Sequence, residues 1–193
     1  TTGDYNTATG YSSLYSNTTG DSNAAFGYES LKSNTTGTRN IAIGFQALQN
    51  PDTENDNVAI GYGALAGAVA GGEGNVGIGT YSLDEISSGD NNTAVGNQAS
   101  SAISSGSDNV SLGTTSGANI TTGQDNVSIG SGATPSSGGS VNEIVIGKGT
   151  TGHGSNIAVI GNGSATAIHP HDDNEVDLGS SSYEYKNLYV DGV

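Results

Sequence analysis

The hydrophobic positions of this chain come in pairs around one small residue. Ile41 and Ile43 flank Ala42, Val58 and Ile60 flank Ala59, Val76 and Ile78 flank Gly77, Val110 and Leu112 flank Ser111, and Val127 and Ile129 flank Ser128. An Asn precedes each triplet and a Gly follows it. Alternation over so few residues is the signature of a short β-strand, whose successive side chains point to opposite faces. A helical period of 3.6 is missing. The closing glycines, Gly10, Gly27, Gly44, Gly61, Gly79, Gly96, Gly113, Gly130 and Gly147, are spaced 17, 17, 17, 18, 17, 17, 17 and 17 residues apart. Four residues before the first eight stand Asn6, Asn23, Asn40, Asn57, Asn75, Asn92, Asn109 and Asn126. The ninth unit carries Asn142, and a shortened unit, Asn156 to Gly161, follows after 14 residues. A fixed short period means a stack of coils.

Each triplet presents two faces. The Val/Ile set needs a core. The Asn, small-residue and Gly set needs room for a close neighbour, either another sheet or another chain. In-register stacking also predicts an Asn ladder whose amides share hydrogen bonds from rung to rung. After each Gly runs a second segment, with an aromatic at Tyr11, Tyr28, Phe45 and Tyr62 and a leucine at Leu14, Leu31, Leu48, Leu65 and Leu83. The pattern therefore predicts an all-β, repetitive parallel β-roll or β-helix with about two short strands per coil. Residues 1–97 form the Leu- and aromatic-bearing repeats. From 98 to 167 the second segment turns to Ser, Gly and Thr, which predicts a thinner, more polar roll. Residues 168–193 form a C-terminal junction.

Composition sharpens this reading. Among 193 residues there are 32 glycines, no cysteine and only 32% hydrophobic residues, too little for a thick core within one chain. Identical chains associating would cover both the apolar face and the open sheet edges. A formal charge of −15 opposes nucleic acid and anionic membranes. No apolar run nears the roughly 20 residues of a membrane-spanning helix.

The run "NVAIG", "NVGIG", "NTAVG", "NVSLG", "NVSIG" resembles the head repeats of trimeric autotransporter adhesins, which are left-handed parallel β-rolls assembled in threes. Those repeats are shorter. The 17-residue unit, as in "NTTGDSNAAFGYESL", is more similar to repeats of phage tail fibres. The closing stretch "HPHDDNEVDLGSSSYEYKNLYVDGV" resembles the segment preceding the intramolecular chaperone domain of phage tail fibres and spikes. Asp177, Leu178, Gly179, Ser180, Ser181, Ser182, Lys186, Leu188 and Tyr189 match, and Tyr185 stands where that family often has Trp. The resemblance implies a homotrimeric fibre segment on the virion, with a chaperone domain beginning after Val193. Its implied partners are a host-surface glycan or protein receptor and other virion tail proteins. A bacterial trimeric surface adhesin is the alternative, and a glycan-cleaving tailspike a third reading.

Candidate chemistry is sparse. In an extended strand His169 and His171 share one face, so three chains would offer six imidazoles, a set suited to iron or another transition metal on the trimer axis. The competing reading is a surface loop beside Asp172 and Asp173. Tyr11, Tyr28, Phe45 and Tyr62 could face glycans; packing between chains or against the leucine column is the favoured reading. Asp56, Asp108 and Asp125 carry carboxylates for calcium, but Asp before Asn is ordinary turn chemistry. Asp84 and Glu85 are the one conspicuous acidic pair, yet adjacent strand residues point apart and no insertion builds a cleft. The chain reads as non-enzymatic.

Overall fold

The computed structural model describes residues 2–67 and 71–165. The chain divides into two units between Asn162 and Gly163, and the fold below is that of the first. Its strands are β1 (Thr7–Thr9), β2 (Ala24–Phe26), β3 (Ile41–Ile43), β4 (Val58–Ile60), β5 (Val76–Ile78), β6 (Thr93–Val95), β7 (Val110–Leu112), β8 (Val127–Ile129), β9 (Ile144–Ile146) and β10 (Ala158–Ile160). All ten lie in one sheet in chain order. Neighbours pair parallel and in register, as in Ile41 with Val58, Ala42 with Ala59 and Ile43 with Ile60. This is a β-solenoid of about nine turns, as the spacing predicts.

One strand per coil forms, not two. The second segment runs as consecutive turns that still bond to the coils on either side. The Gln46 N–H donates back to the Tyr28 carbonyl at 2.8 Å, and the Leu48 N–H donates forward to the Ala64 carbonyl at 2.9 Å. Its backbone returns repeatedly to the left-handed region: Leu14, Leu31, Leu48, Leu65 and Leu83 have φ between 45° and 51°. A bulky residue there costs about 1–2 kcal/mol. Burying a leucine returns about 1.5–3 kcal/mol, so the leucine column outweighs its own strain. Where burial no longer rewards a large side chain, the same slot holds Ser100 and then Gly117, and Gly117 adopts φ 62° without that cost.

The interior reverses the expected assignment of faces. Ala25, Ala42, Ala59 and Ala94 point into the coil with 0% exposure, alongside Leu31, Leu48, Leu65 and Leu83. The close neighbour that the small face anticipates is thus the coil's own second segment. Gly77 measures the clearance: a Cβ there would stand 2.9 Å from Leu65 Cδ1. With a leucine filling the coil from one side, only Ala, Gly or Ser fits on the strand opposite. The flanking Val/Ile set points outward and is half-buried or exposed among the described residues.

The later coils are not hollowed into polar turns. Ile86, Ile103 and Ile120 are fully buried and join the same hydrophobic cluster. They occupy the inner position that Asn17 and Asn34 hold in the first coils. As the leucine slot shrinks to Ser100 and Gly117, the strand column grows to Ser111, Ser128 and Val145, all fully buried. Ser100 Oγ donates to Ser111 Oγ at 2.7 Å and Ser116 Oγ to the Ser128 carbonyl at 2.6 Å. Volume is redistributed among columns rather than lost.

Ala59→Val adds bulk inside a filled coil and should cost about 1–3 kcal/mol. Val58→Ala trims a half-buried outer residue and should cost less in the coil itself. Chemical denaturation of both variants checks the order.

Candidate functional surfaces

Three columns run along the stack: a buried asparagine spine, an exposed aromatic ladder over the first five coils and an exposed apolar sheet face. The spine comes first because it sets the register of the other two. Asn23, Asn40, Asn57, Asn75, Asn92, Asn109 and Asn126 are all at least 99% buried. Each side-chain oxygen accepts the backbone N–H of the spine residue one coil ahead. The Asn57 N–H donates to Asn40 Oδ1 at 3.0 Å, and the Asn75 N–H to Asn57 Oδ1 at 2.9 Å. Each side-chain Nδ2 donates to a carbonyl just before the next spine residue, as Asn40 does to Glu54 at 2.8 Å and Asn57 to Gly72 at 3.0 Å. Asn92, Asn109 and Asn126 also donate Nδ2 to the preceding side-chain oxygen at 3.1, 3.0 and 2.9 Å. Both ends of the amide are used, which Asp, with no N–H, cannot reproduce.

The ninth rung is not Asn142. That residue sits at the corner with φ 53°, and its Nδ2 reaches Asn156 Oδ1 at 3.0 Å. Glu143 takes the spine position: its N–H donates to Asn126 Oδ1 at 3.0 Å, and it is fully buried. The sequence carries a partial signal for this, since Glu143 directly precedes the β9 triplet.

The closing glycines form the next column. Gly10, Gly27, Gly44, Gly61, Gly79, Gly96, Gly113 and Gly130 have φ between 124° and 142°. At Gly61 a Cβ would stand 2.6 Å from the Gly79 carbonyl oxygen. The corner therefore excludes side chains twice, by backbone conformation and by the neighbouring coil.

Directly after these glycines stand the aromatics. Tyr11 stacks on Tyr28, Tyr28 on Phe45 and Phe45 on Tyr62, with centroids 5.3, 5.1 and 4.9 Å apart and planes within 12°. Tyr81, one position further along its coil, closes the ladder edge-on to Tyr62 at 5.4 Å and 76°. Gly63 makes room for it, because a Cβ there would lie 2.8 Å from the Tyr81 ring. The rings are exposed, from 39% at Phe45 to 71% at Tyr11. They are not part of the buried cluster of the coil. The faces of Tyr28 and Phe45 are spent on their neighbours. A sugar ring stacks on a free face, and a ladder of shared faces offers little of that. Beside it, Glu29 accepts from Lys32 Nζ at 2.6 Å, Gln46 Nε2 at 3.0 Å and Gln49 Nε2 at 2.6 Å. The bonds from Lys32, foremost, and from Gln46 hold the Glu29 carboxyl below its ordinary range.

The third surface is the outer face of the sheet. Ile41, Ile43, Val95, Leu112, Ile144 and Ile160 are 36–55% exposed, and Val58, Ile60, Val76, Ile78, Val110 and Val127 are half-buried. From β3 through β9, nearly every outward strand position is apolar, giving one continuous apolar strip. Parallel sheets are ordinarily covered on both faces, and patches of this kind on soluble chains mark interaction sites.

The other candidates fare differently. His169 and His171 lie outside the described residues, as does the 177–189 segment. Asp56 forms a bidentate pair with Arg39, at 2.6 and 2.7 Å, which lowers its pKa. Asp108 and Asp125 occupy left-handed corners at φ 58°. Among the described residues no three His, Asp or Glu side chains are placed to hold a metal. Asp84 is half-buried with its Oδ1 unpartnered, and burial raises its pKa; Glu85 is exposed. Comparison with family models, curated proteins and solved structures finds no match to the chain.

Asn57→Ala strands the Asn75 N–H and the Gly72 carbonyl inside the stack. At about 1–3 kcal/mol for each orphaned group, it should cost about 2–5 kcal/mol in urea unfolding. Phe45→Ala removes two stacked neighbours. It should lower stability by about 1–3 kcal/mol, from about 0.5–1.5 per ring pair, and reduce the near-ultraviolet circular dichroism of the tyrosines.

Proposed function

We propose that this chain is a structural segment of a homotrimeric attachment fibre of the phage tail-fibre type, present on the virion and carrying or forming the host-recognition region. The observation that supports this most is the apolar outer face of the parallel sheet, left exposed among the described residues. Three such faces turned toward a common axis would bury one another's Val/Ile rows, while the acidic turns and the aromatic ladder stay at the periphery. The sheet is suited to the task because its register is held by the asparagine spine from within. Each chain therefore presents its apolar rows at a constant pitch, and like coils can meet like coils. The number three comes from the resemblance of the repeats and of residues 169–193 to trimeric fibre proteins. A host-surface glycan or protein and neighbouring tail proteins are the partners that go with this reading.

Light scattering of the purified chain should give three times the 19.1 kDa of one chain. Ile43→Asp alters an outward residue and spares the coil interior. It should yield a soluble species of lower mass with its β circular dichroism retained. A folded, cooperative monomer of the unaltered chain would rule the assembly out.

A further inference from the structure

The 17-residue period breaks twice, and each break coincides with a buried glutamate. Between Gly61 and Gly79 the spacing is 18, and between Gly147 and Gly161 it is 14. Glu54 faces the first irregular coil and Glu143 the second. Glu54 is 4% exposed and Glu143 0%.

Glu54 occupies a slot that holds Gly20, Gly37, Gly72, Gly89, Gly106 and Gly123 in other coils. In those coils the preceding asparagine donates Nδ2 to the carbonyl of this residue, and Glu54 keeps that bond to Asn40 at 2.8 Å. Its added side chain turns back to accept the Asp52 N–H at 2.7 Å and the Thr53 N–H at 3.0 Å. Its other oxygen accepts the Gly71 N–H of the next coil at 2.8 Å. The extra residue of that next coil falls, in sequence, between Leu65 and Gly72.

Glu143 replaces an asparagine of the spine. Its Oε2 accepts the Ser136 N–H at 3.0 Å and Ser136 Oγ at 2.9 Å, and its Oε1 accepts the Gly154 N–H at 2.8 Å. A Cβ at Gly152 would run into this carboxyl group. An asparagine cannot span these donors. The longer, doubly accepting carboxylate gathers the 136–140 turn and the shortened last coil onto one anchor.

We propose that Glu54 and Glu143 are carboxylate clasps that hold the two coils of irregular length, and that acid opens the Glu143 clasp while the regular asparagine-spined coils stay closed. The charged form is what the sites are built for, since every donor aimed at the oxygens is an N–H or O–H. A protonated carboxyl must place its own hydrogen against one of them. Burial disfavours the Glu143 carboxylate, but the Gly154 and Ser136 donors outweigh it and leave its pKa below the ordinary value. Stability from this clasp is therefore present above the ordinary carboxyl range and lost as pH falls through the folded value. Other ionisable groups nearby are few. The 135–140 turn has none, and the 150–155 loop has only His153, which is exposed. Around Glu54 stand Asp52, Asp56 paired with Arg39, and Glu73, which accepts from Asn55 at 2.7 Å.

Hydrogen exchange of the assembled protein, expressed as protection factors from pH 7 to pH 3, reads each clasp separately. The amides of Ser136 and Gly154 should lose protection as pH falls from the ordinary carboxyl range through the lowered folded value of Glu143, and level off below it. Spine amides such as those of Asn92 and Asn109 should keep theirs. Glu143→Gln has one acceptor oxygen for donors on both sides. It should lower protection at Ser136 and Gly154 already at pH 7 and abolish the acid response there. Glu54→Gln should lower protection at Asp52, Thr53 and Gly71 at pH 7 and leave the acid response at Ser136 and Gly154 in place. Protection at Ser136 and Gly154 that is flat with pH in the unaltered chain, acid loss spread evenly over all coils, acid loss there persisting in Glu143→Gln, or a Glu54→Gln chain with Asp52, Thr53 and Gly71 as protected as before would each overturn the proposal. Acid loss at these amides that survives Glu143→Gln and is removed by His153→Asn would assign the response to His153 and overturn the proposal.

Discussion

Each coil is narrow, and the rest of the structure follows from that limit. A leucine from the turn segment fills the coil, so the strand opposite can carry only Ala, Gly or Ser at its centre. The leucine reaches the interior only because its backbone bends into the left-handed region. Its burial, about 1.5–3 kcal/mol, covers a strain of about 1–2. Where the leucine is lost, the volume reappears elsewhere in the cross-section, as Ile103 and Ile120 from another corner and Ser111, Ser128 and Val145 from the strand.

So narrow an interior cannot bury the chain's apolar residues. Three-residue strands have one inward and two outward positions, and the outward ones are Val, Ile and Leu along most of the stack. A single coil thus leaves most of its β-branched side chains on the outer face of the sheet. Beside the narrow Ala/Leu/Ile core, the asparagine spine orders the interior: each buried amide satisfies a backbone N–H and a backbone carbonyl that would otherwise be orphaned at the corner. The apolar outer rows, rather than any cleft, are the feature on which the proposed assembly rests.

The period, the strands, the asparagine spine and the closing glycines were legible in the residues alone, because in-register stacking forces every coil to repeat the same chemistry at the same offset. Alternation likewise announced two faces. Which face is the inside was not legible: alternation labels the sides of a strand without saying what lies beyond each. The answer depends on how closely the turn segment approaches the sheet, a distance set by the left-handed leucines and measured at Gly77 against Leu65. The stacking of Tyr11, Tyr28, Phe45 and Tyr62 face on face also depended on the pitch of the coils. So did the membership of Tyr81, which is offset by one residue and fits only because Gly63 lacks a side chain. Glu143 displaced Asn142 from the spine for a geometric reason: in the shortened last coil a side chain had to reach Ser136 and Gly154 together. By itself, then, the sequence determined the repeat and its columns. Tertiary closure of the coil decided what each column faces, because the width of the coil, and not the order of residues, settles which side chains fit within it.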